Sequence, residues 1–137
     1  MRFARMSLVT GCVLAITLFW FLYPAAALTD EIQIQIDVAP NVLNIQSEGV
    51  IVTVHTDIAY SAVDGASVDL NGVPIKYWKA DARGNFVAKF VMDEIKTLDG
   101  LIIDGYNVLV LYGYTTDGDT FIGEQEIRVI DIIPRGS

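Results

Sequence analysis

The chain has 137 residues, and its formal net charge is −8 at pH 7. This acidic balance disfavours nucleic-acid binding, which needs a basic face. The only cysteine, Cys12, lies in an apolar N-terminal run, so the rest of the chain forms no internal disulfide and must be stabilised by an apolar core.

The first 27 residues have the pattern of an export signal. Arg2 and Arg5 precede an almost wholly apolar run, and Ala25-Ala26-Ala27 matches the small residues before a signal peptidase site. We therefore predict a hydrophobic helix within residues 1–27 that is removed on export. The remaining domain, residues 28–137, has all 17 acidic and seven of the nine basic residues, a net charge of −10.

Two alternatives for this segment stay open. Residues 8–27 are 20 residues long, and a membrane-spanning helix needs about 20. An uncleaved anchor would place Trp20 and Tyr23 at the outer interface, and it is the only part expected to contact a membrane. Alternatively, residues 9–12 resemble a bacterial lipobox with Cys12 as the lipidated residue, although little apolar sequence precedes it.

The first predicted β-strand lies directly after the export segment. Ile32, Ile34 and Ile36 alternate with polar residues, which gives the strand one apolar face. That face packs either within its own domain or in the sheet of a neighbouring copy. The second arrangement, β-strand addition, would build a filament.

The next strand and hairpin follow the same period of two. The segment Val50–Asp57 predicts a strand with Val50, Val52 and Val54 on its core face. Further on, Asn71-Gly72 predicts a tight hairpin, because both residues tolerate a positive φ.

The middle of the chain contains the one predicted helix of the exported domain. A turn at Arg83-Gly84-Asn85 leads into a strand on which Phe86, Phe90 and Met92 share a face. The segment Met92–Leu98 is then predicted to be a short helix that ends before Asp99-Gly100.

The segment Tyr106–Thr115 is apolar on both faces and predicts a central strand. A turn at residues 116–119 follows, and the last strand turns Phe121, Ile127 and Val129 towards the core. About seven strands spaced by turns predict an all-β protein, an antiparallel β-sandwich of the Ig-like type in residues 28–137.

The segment from Ile36 to Val52 resembles the opening of an Ig-like β-sandwich module of secreted bacterial proteins. The resemblance lies in Ile36-Asp37-Val38-Ala39-Pro40, Asn44-Ile45 and Gly49-Val50-Ile51-Val52. The closing hairpin around residues 115–130 is also similar, so the resemblance covers Ile34 to Ile130. It implies an accessory domain rather than a catalyst.

The same module often has an acidic, glycine-rich calcium loop in mid-chain, and the matching segment here is Asp81–Asn85. This segment departs from a calcium loop, because Arg83 brings a cation where an oxygen ligand belongs and Phe86 stands where a glycine should turn. A plain turn is therefore predicted, with no metal and no cofactor.

No arrangement for catalysis is apparent in the sequence. His55 is the only histidine and is predicted to lie on the polar side of its strand. Asp93-Glu94 and Glu124/Glu126 are the nearest carboxylate pairs, and a small hydrolase that uses such surface acids is the least favoured class. We therefore predict that the protein is not an enzyme.

Aromatic residues are the candidate binding groups. If Leu109 and Leu111 meet the core, a row of tyrosines on the same strand faces solvent; otherwise those tyrosines are ordinary half-buried core residues. Tyr106, Tyr112 and Tyr114 share one face of their strand, and Trp78 is predicted to lie on the polar side of its own strand. These residues favour a structural or accessory subunit that binds a protein partner or self-associates at the periplasm, cell surface or membrane. A carbohydrate-binding accessory module that contacts a polysaccharide is the alternative.

Overall fold

The computed structural model describes residues 31–135, which form two β-sheets packed on one apolar core. The predicted N-terminal helix, its cleavage or anchoring, and the lipobox cysteine all lie outside the described residues. Within residues 31–135, no helix has both the length and the apolar character needed to cross a bilayer.

The described segment contains ten β-strands, one short α-helix and a 3-10 turn at Tyr60–Ala62. In chain order the strands and helix are β1 (Glu31–Gln33), β2 (Ile36–Ala39), β3 (Val42–Asn44), β4 (Ile51–Ala59), β5 (Val63–Leu70), β6 (Val73–Pro74), β7 (Tyr77–Ala80), β8 (Asn85–Val91), α1 (Met92–Lys96), β9 (Gly105–Thr115) and β10 (Thr120–Ile130). The all-β, two-sheet prediction is confirmed. The predicted number of strands was too low, because the opening segment breaks into three strands and the hairpin after β5 adds β6.

Sheet A has the order β1-β10-β9-β5-β6, and β3 also pairs with β10. Sheet B has the order β2-β4-β8-β7. Most neighbours are antiparallel, as predicted, but β1 and β3 both run parallel to β10. The predicted central strand is β9, which lies between β10 and β5 in sheet A.

The opening segment crosses between the two sheets. β1 pairs with the start of β10 and β3 with its end, whereas β2 pairs with β4 in sheet B. Ile34 and Ile36 are buried over Gly123, where a Cβ atom would lie 2.9 and 2.7 Å from their side chains. Ile32 is 38% exposed at the edge. The backbone N–H of Val38 donates to Oε1 of Gln125 at 2.6 Å, which ties β2 to β10.

These contacts place the isoleucine row against the rest of the same chain. An exchanged strand would make the same contacts with a neighbouring copy, so filament assembly through Ile32, Ile34 and Ile36 stays a prediction. Because two of the three side chains are core residues, replacing all three would unfold the domain and would not isolate an assembly defect.

The core between the sheets is almost wholly apolar. Its largest fully buried side chains are Phe86, Phe90, Phe121, Leu43, Leu70, Ile95, Leu109 and Leu111. Thr56 is the polar exception on the core face of β4, and its hydroxyl donates to the backbone oxygen of Phe86 at 2.6 Å. That hydrogen bond removes the cost of burying an unpaired hydroxyl.

Local predictions are mostly confirmed. Asn71 and Gly72 have φ of 50° and 85° and connect β5 to β6 as a tight hairpin. The predicted helix is present as α1 and ends two residues earlier than expected. The prediction that Val50 lies on the core face is wrong, because Val50 precedes β4 and is 65% exposed. Val52 and Val54 are buried as predicted.

We predict that Gly123→Ala lowers the free energy of unfolding by about 1–3 kcal/mol, because the new methyl group overlaps two core isoleucines and the backbone. Gly49→Ala is the matched control, since its methyl group meets only the flexible end of Met92. Chemical denaturation of both variants measures the effect. Equal losses in the two variants would contradict the fixed position of the opening segment.

Candidate recognition surface

One face of β9 is buried and the other is open. Leu109 and Leu111 are fully buried, so the alternation of the strand turns the residues between them outward. Tyr106, Val108 and Tyr114 are 60%, 49% and 46% exposed. We call the outward row the tyrosine face: Tyr106, Val108, Val110, Tyr112 and Tyr114. The sequence placed the three tyrosines on one strand face, and the structure places that face on the outside of sheet A.

Acidic residues flank the tyrosine face on both sides. Their positions follow from strand register, because directly opposite residues share a face. On β10, Glu124 lies opposite Val110 and Glu126 opposite Val108, while Arg128 lies opposite Tyr106 and is a basic residue on this border. On β5 and β1, three more acids complete a group that we call the acidic rim: Glu31, Asp64, Asp69, Glu124 and Glu126.

The row at the Tyr114 end shows how the acids are arranged. Glu31 pairs with Thr120, Thr120 with Tyr114, and Tyr114 with Asp64. At about 4.8 Å between neighbouring strands, the two carboxylates lie on opposite sides of the tyrosine, roughly 14 Å apart. A cation that approaches Tyr114 from solvent therefore meets an acid on either side.

A bulge in β5 turns two aspartates towards the tyrosine face. Asp64 pairs with Tyr114 and Asp69 with Tyr112, although five positions separate the aspartates and only two separate the tyrosines. The hydroxyl of Ser67 fills the gap, since it donates to the backbone oxygen of Asp64 at 2.6 Å and accepts from the N–H of Tyr114 at 2.9 Å. Without the bulge, residues 64 and 69 would point to opposite faces.

Side-chain amides hold the other end of β9. Asn71 accepts from the N–H of Val110 at 2.6 Å and donates to the oxygen of Val108 at 3.2 Å. Asn107 makes a matching pair of hydrogen bonds with the backbone of Ile102, at 2.7 and 2.9 Å. The bonds from Asn71 hold the part of β9 that has no β5 residue beside it, and the bonds from Asn107 hold the loop beside Tyr106. A cavity of about 340 Å³ lies there, lined by Tyr106, Val108 and residues 98–102.

The rings of the tyrosine face do not form a flat platform. Tyr112 and Tyr114 have ring centroids 6.0 Å apart and planes at 78°, an edge-to-face pair. Burial raises the pKa of Tyr112, and a hydrogen bond with Tyr114 raises it further. Thr120 opposes these effects, and the charge of Glu31 adds to them. The Tyr112 phenol therefore stays neutral at physiological pH.

Trp78 lies differently from the prediction. It pairs with the buried Ala88 on β8, so it projects from the core side of β7 rather than from its polar side. Its indole lies directly over Gly65, where a Cβ atom would come within 2.5 Å of three ring atoms. It is still 37% exposed. The reason is that β7 is an edge strand, where a large side chain can close the side of the sandwich and remain partly in water.

Trp78 and Tyr114 meet at an open groove of about 700 Å³ that also includes Asp64. We call it the Trp78 groove. Tyr106 is not part of it, because eight strand positions, about 27 Å, separate Tyr106 from Tyr114. The predicted aromatic group is thus split between an outward row and a groove at one end of it.

His55 lies on the outer face of sheet B, and the mid-chain segment is a hydrogen-bonded turn. His55 is exposed on the outside of sheet B, with Asp37 and Val87 as its strand neighbours. The Asp81 carboxylate accepts from the N–H groups of Asn85 and Arg83, at 2.9 and 2.8 Å. The bond from Asn85 is the main cause that lowers the pKa of Asp81. Within residues 31–135, no three His, Cys, Asp or Glu side chains are grouped to hold a metal ion.

Several residues around the tyrosine face could not be assigned to it from the sequence alone. Glu124 and Glu126 were predicted to face water, but only the pairing of β9 with β10 shows that they border the tyrosines. Asp64 and Asp69 gave no signal, because the bulge between them breaks the period of two.

Comparison of the chain with protein-family models, curated proteins and solved structures finds no match.

We predict that absorbance titration at alkaline pH shows one tyrosine ionising later than an ordinary phenol. Tyr112→Phe should remove that late phase, because burial and the neighbouring Tyr114 disfavour the Tyr112 phenolate. Tyr106→Phe is the control and should leave the late phase in place. A late phase that persists in Tyr112→Phe would show that the ring is not in this environment.

Proposed function

We propose that this protein is an exported, non-enzymatic accessory subunit that binds a protein partner through the tyrosine face. The observation that supports it is the outward row on β9, in which tyrosines and valines stand in the open at the centre of sheet A. Tyrosine and other aromatic residues are enriched at the centres of protein interfaces, where charged residues are depleted. Export rests on the pattern of residues 1–27.

The acidic rim gives the surface the composition of an interface. An apolar, aromatic centre is bordered by charged groups that remain in solvent, as in a protein interface with a polar rim. Tyrosine contributes area and a hydroxyl at low cost in conformational entropy, which suits it to contact with another protein. The partner is expected to carry positive charge around its own apolar centre.

The Ig-like type of the sandwich is part of the same proposal. Two packed sheets and an opening segment that contributes to both of them support it. In such an accessory role, the sandwich would hold β9 rigidly while its outer face binds the partner.

A photo-cross-linking amino acid at position 106, 114 or 77 tests the proposal in the cells that produce the protein. Tyr77 is the matched control, because it is 46% exposed but projects from sheet B. Positions 106 and 114 should give the same discrete adduct, and position 77 should not. Equal adducts at all three positions, or none at 106 and 114, would contradict the proposal.

A second substitution makes that experiment specific. Val108→Glu adds a charge at the centre of the face without touching the core. It should lower the adduct from position 114 roughly tenfold or more, because a charge without a partner in an interface costs more than about 1.4 kcal/mol. Lys79→Glu, on the other sheet, should leave the adduct unchanged.

Carbohydrate binding is the second candidate function, and the Trp78 groove favours it. The groove is lined by two aromatic residues together with Thr115 and Thr116, a mixture of residues that suits a sugar ring. The edge-to-face arrangement of Tyr114 with Tyr112 argues against an extended flat platform for a polysaccharide.

Affinity electrophoresis through a panel of polysaccharides tests this candidate. A sugar-binding groove predicts retardation that is lost in Tyr114→Ala and kept in Tyr106→Ala. Trp78→Ala is less informative, since the indole also covers Gly65. Absence of retardation across the panel would rule out this second function.

A further inference from the structure

The Trp78 groove has the side chains that recognise a positively charged group. Trp78, Tyr114 and Asp64 are among its lining residues; Tyr114 and Asp64 project from the outer face of sheet A, and Trp78 reaches the same open edge from the core side. No lysine or arginine lines the groove in the described chain. Aromatic faces attract a cation through the ring quadrupole, and a carboxylate neutralises its charge.

Asp64 is positioned beside the Tyr114 ring and is not used within the fold. The two residues are directly opposite on neighbouring strands, which places their Cβ atoms about 4.5–5.5 Å apart. Ser67 bonds the backbone oxygen of Asp64, whereas the exposed carboxylate has no hydrogen bond or ion pair with the rest of residues 31–135. A ligand can therefore bind this carboxylate without breaking an existing interaction.

Trp78 is held in place by the fold, which leaves its exposed part ready to bind. One side of the indole rests on Gly65, a position where any Cβ atom would displace the ring. Lys79, the neighbour of Trp78 on β7, lies opposite Val87 and projects from the other face of the strand. The nearest basic side chain along β7 therefore does not enter the groove.

We propose that the Trp78 groove binds an arginine side chain of the protein partner, an inference that rests on the proposed function. A guanidinium group can stack on the Tyr114 ring and form two hydrogen bonds with Asp64, which lies beside that ring on the same face, whereas a lysine ammonium lacks that planar fork. An arginine is proposed because its positive charge complements the negative charge of Asp64. Glu31, on the far side of Tyr114, adds negative charge to the same end of the face.

The experiment uses the isotope-labelled full chain and small probes rather than the partner. N-acetyl-arginine methylamide is titrated while the NMR signals of the Trp78 indole N–H and the Gly65 and Gly118 amides are followed. Saturable shifts are expected, with a dissociation constant on the order of millimolar, as befits one side chain. The citrulline analogue, which has the same shape but no charge, should give no saturable shift.

Two variants locate the binding. Asp64→Asn keeps the size of the side chain and removes its charge, so it should weaken binding of the arginine probe about tenfold or more. Tyr106→Ala, at the far end of the tyrosine face, should leave binding unchanged. Equal shifts with arginine and citrulline, or full binding in Asp64→Asn, would overturn the proposal.

The outcomes separate this inference from the function on which it rests. Cross-linking at position 106 without arginine binding would reject the groove as the arginine site and leave the partner surface in place. Arginine binding without position-specific cross-linking would leave the groove as a cation site and reject the tyrosine face as an interface. Shifts with methyl glucoside but not with the arginine probe would overturn the inference in favour of a sugar.

Discussion

The alternation of β9 is the constraint on which the rest of the surface depends. Leu109 and Leu111 must be buried for the two sheets to share a core, and the period of two then sends the tyrosines outward. Because β9 is a central strand, neighbours on both sides hold it in register and border its outer face with acids. The burial that stabilises the sandwich thus also creates an exposed aromatic row.

The surface around this row is also strongly acidic. Residues 31–135 contain 16 acidic and seven basic residues, a net charge of −9. Many of these acids are exposed, and five of them flank the tyrosine face as its rim. Such a surface attracts cationic partners at long range and discourages association between copies of the chain, whose like charges repel. The proposed recognition of an arginine-bearing protein would use that charge, whereas recognition of a neutral ligand would not.

The sequence predicted what depends on local alternation and turn chemistry. It identified the central strand, the Asn71-Gly72 hairpin, the short helix and the buried face of the last strand, but it left open which face of the central strand meets the core. It did not predict the bulge between Asp64 and Asp69, because pairing with β9 decides where the chain departs from regular alternation. Trp78 was assigned to the wrong face for a related reason. Its orientation depends on which strand β7 pairs with, and on the space above Gly65.

The proposed function requires that a protein partner covers the outer face of β9 in the cell. Hydroxyl-radical footprinting with mass spectrometry, on purified protein and in producing cells, measures this directly. We expect Tyr106 and Tyr114 to be oxidised in the purified protein and protected in cells, while Tyr77 is oxidised equally in both. Equal oxidation of all three tyrosines in both samples would contradict it.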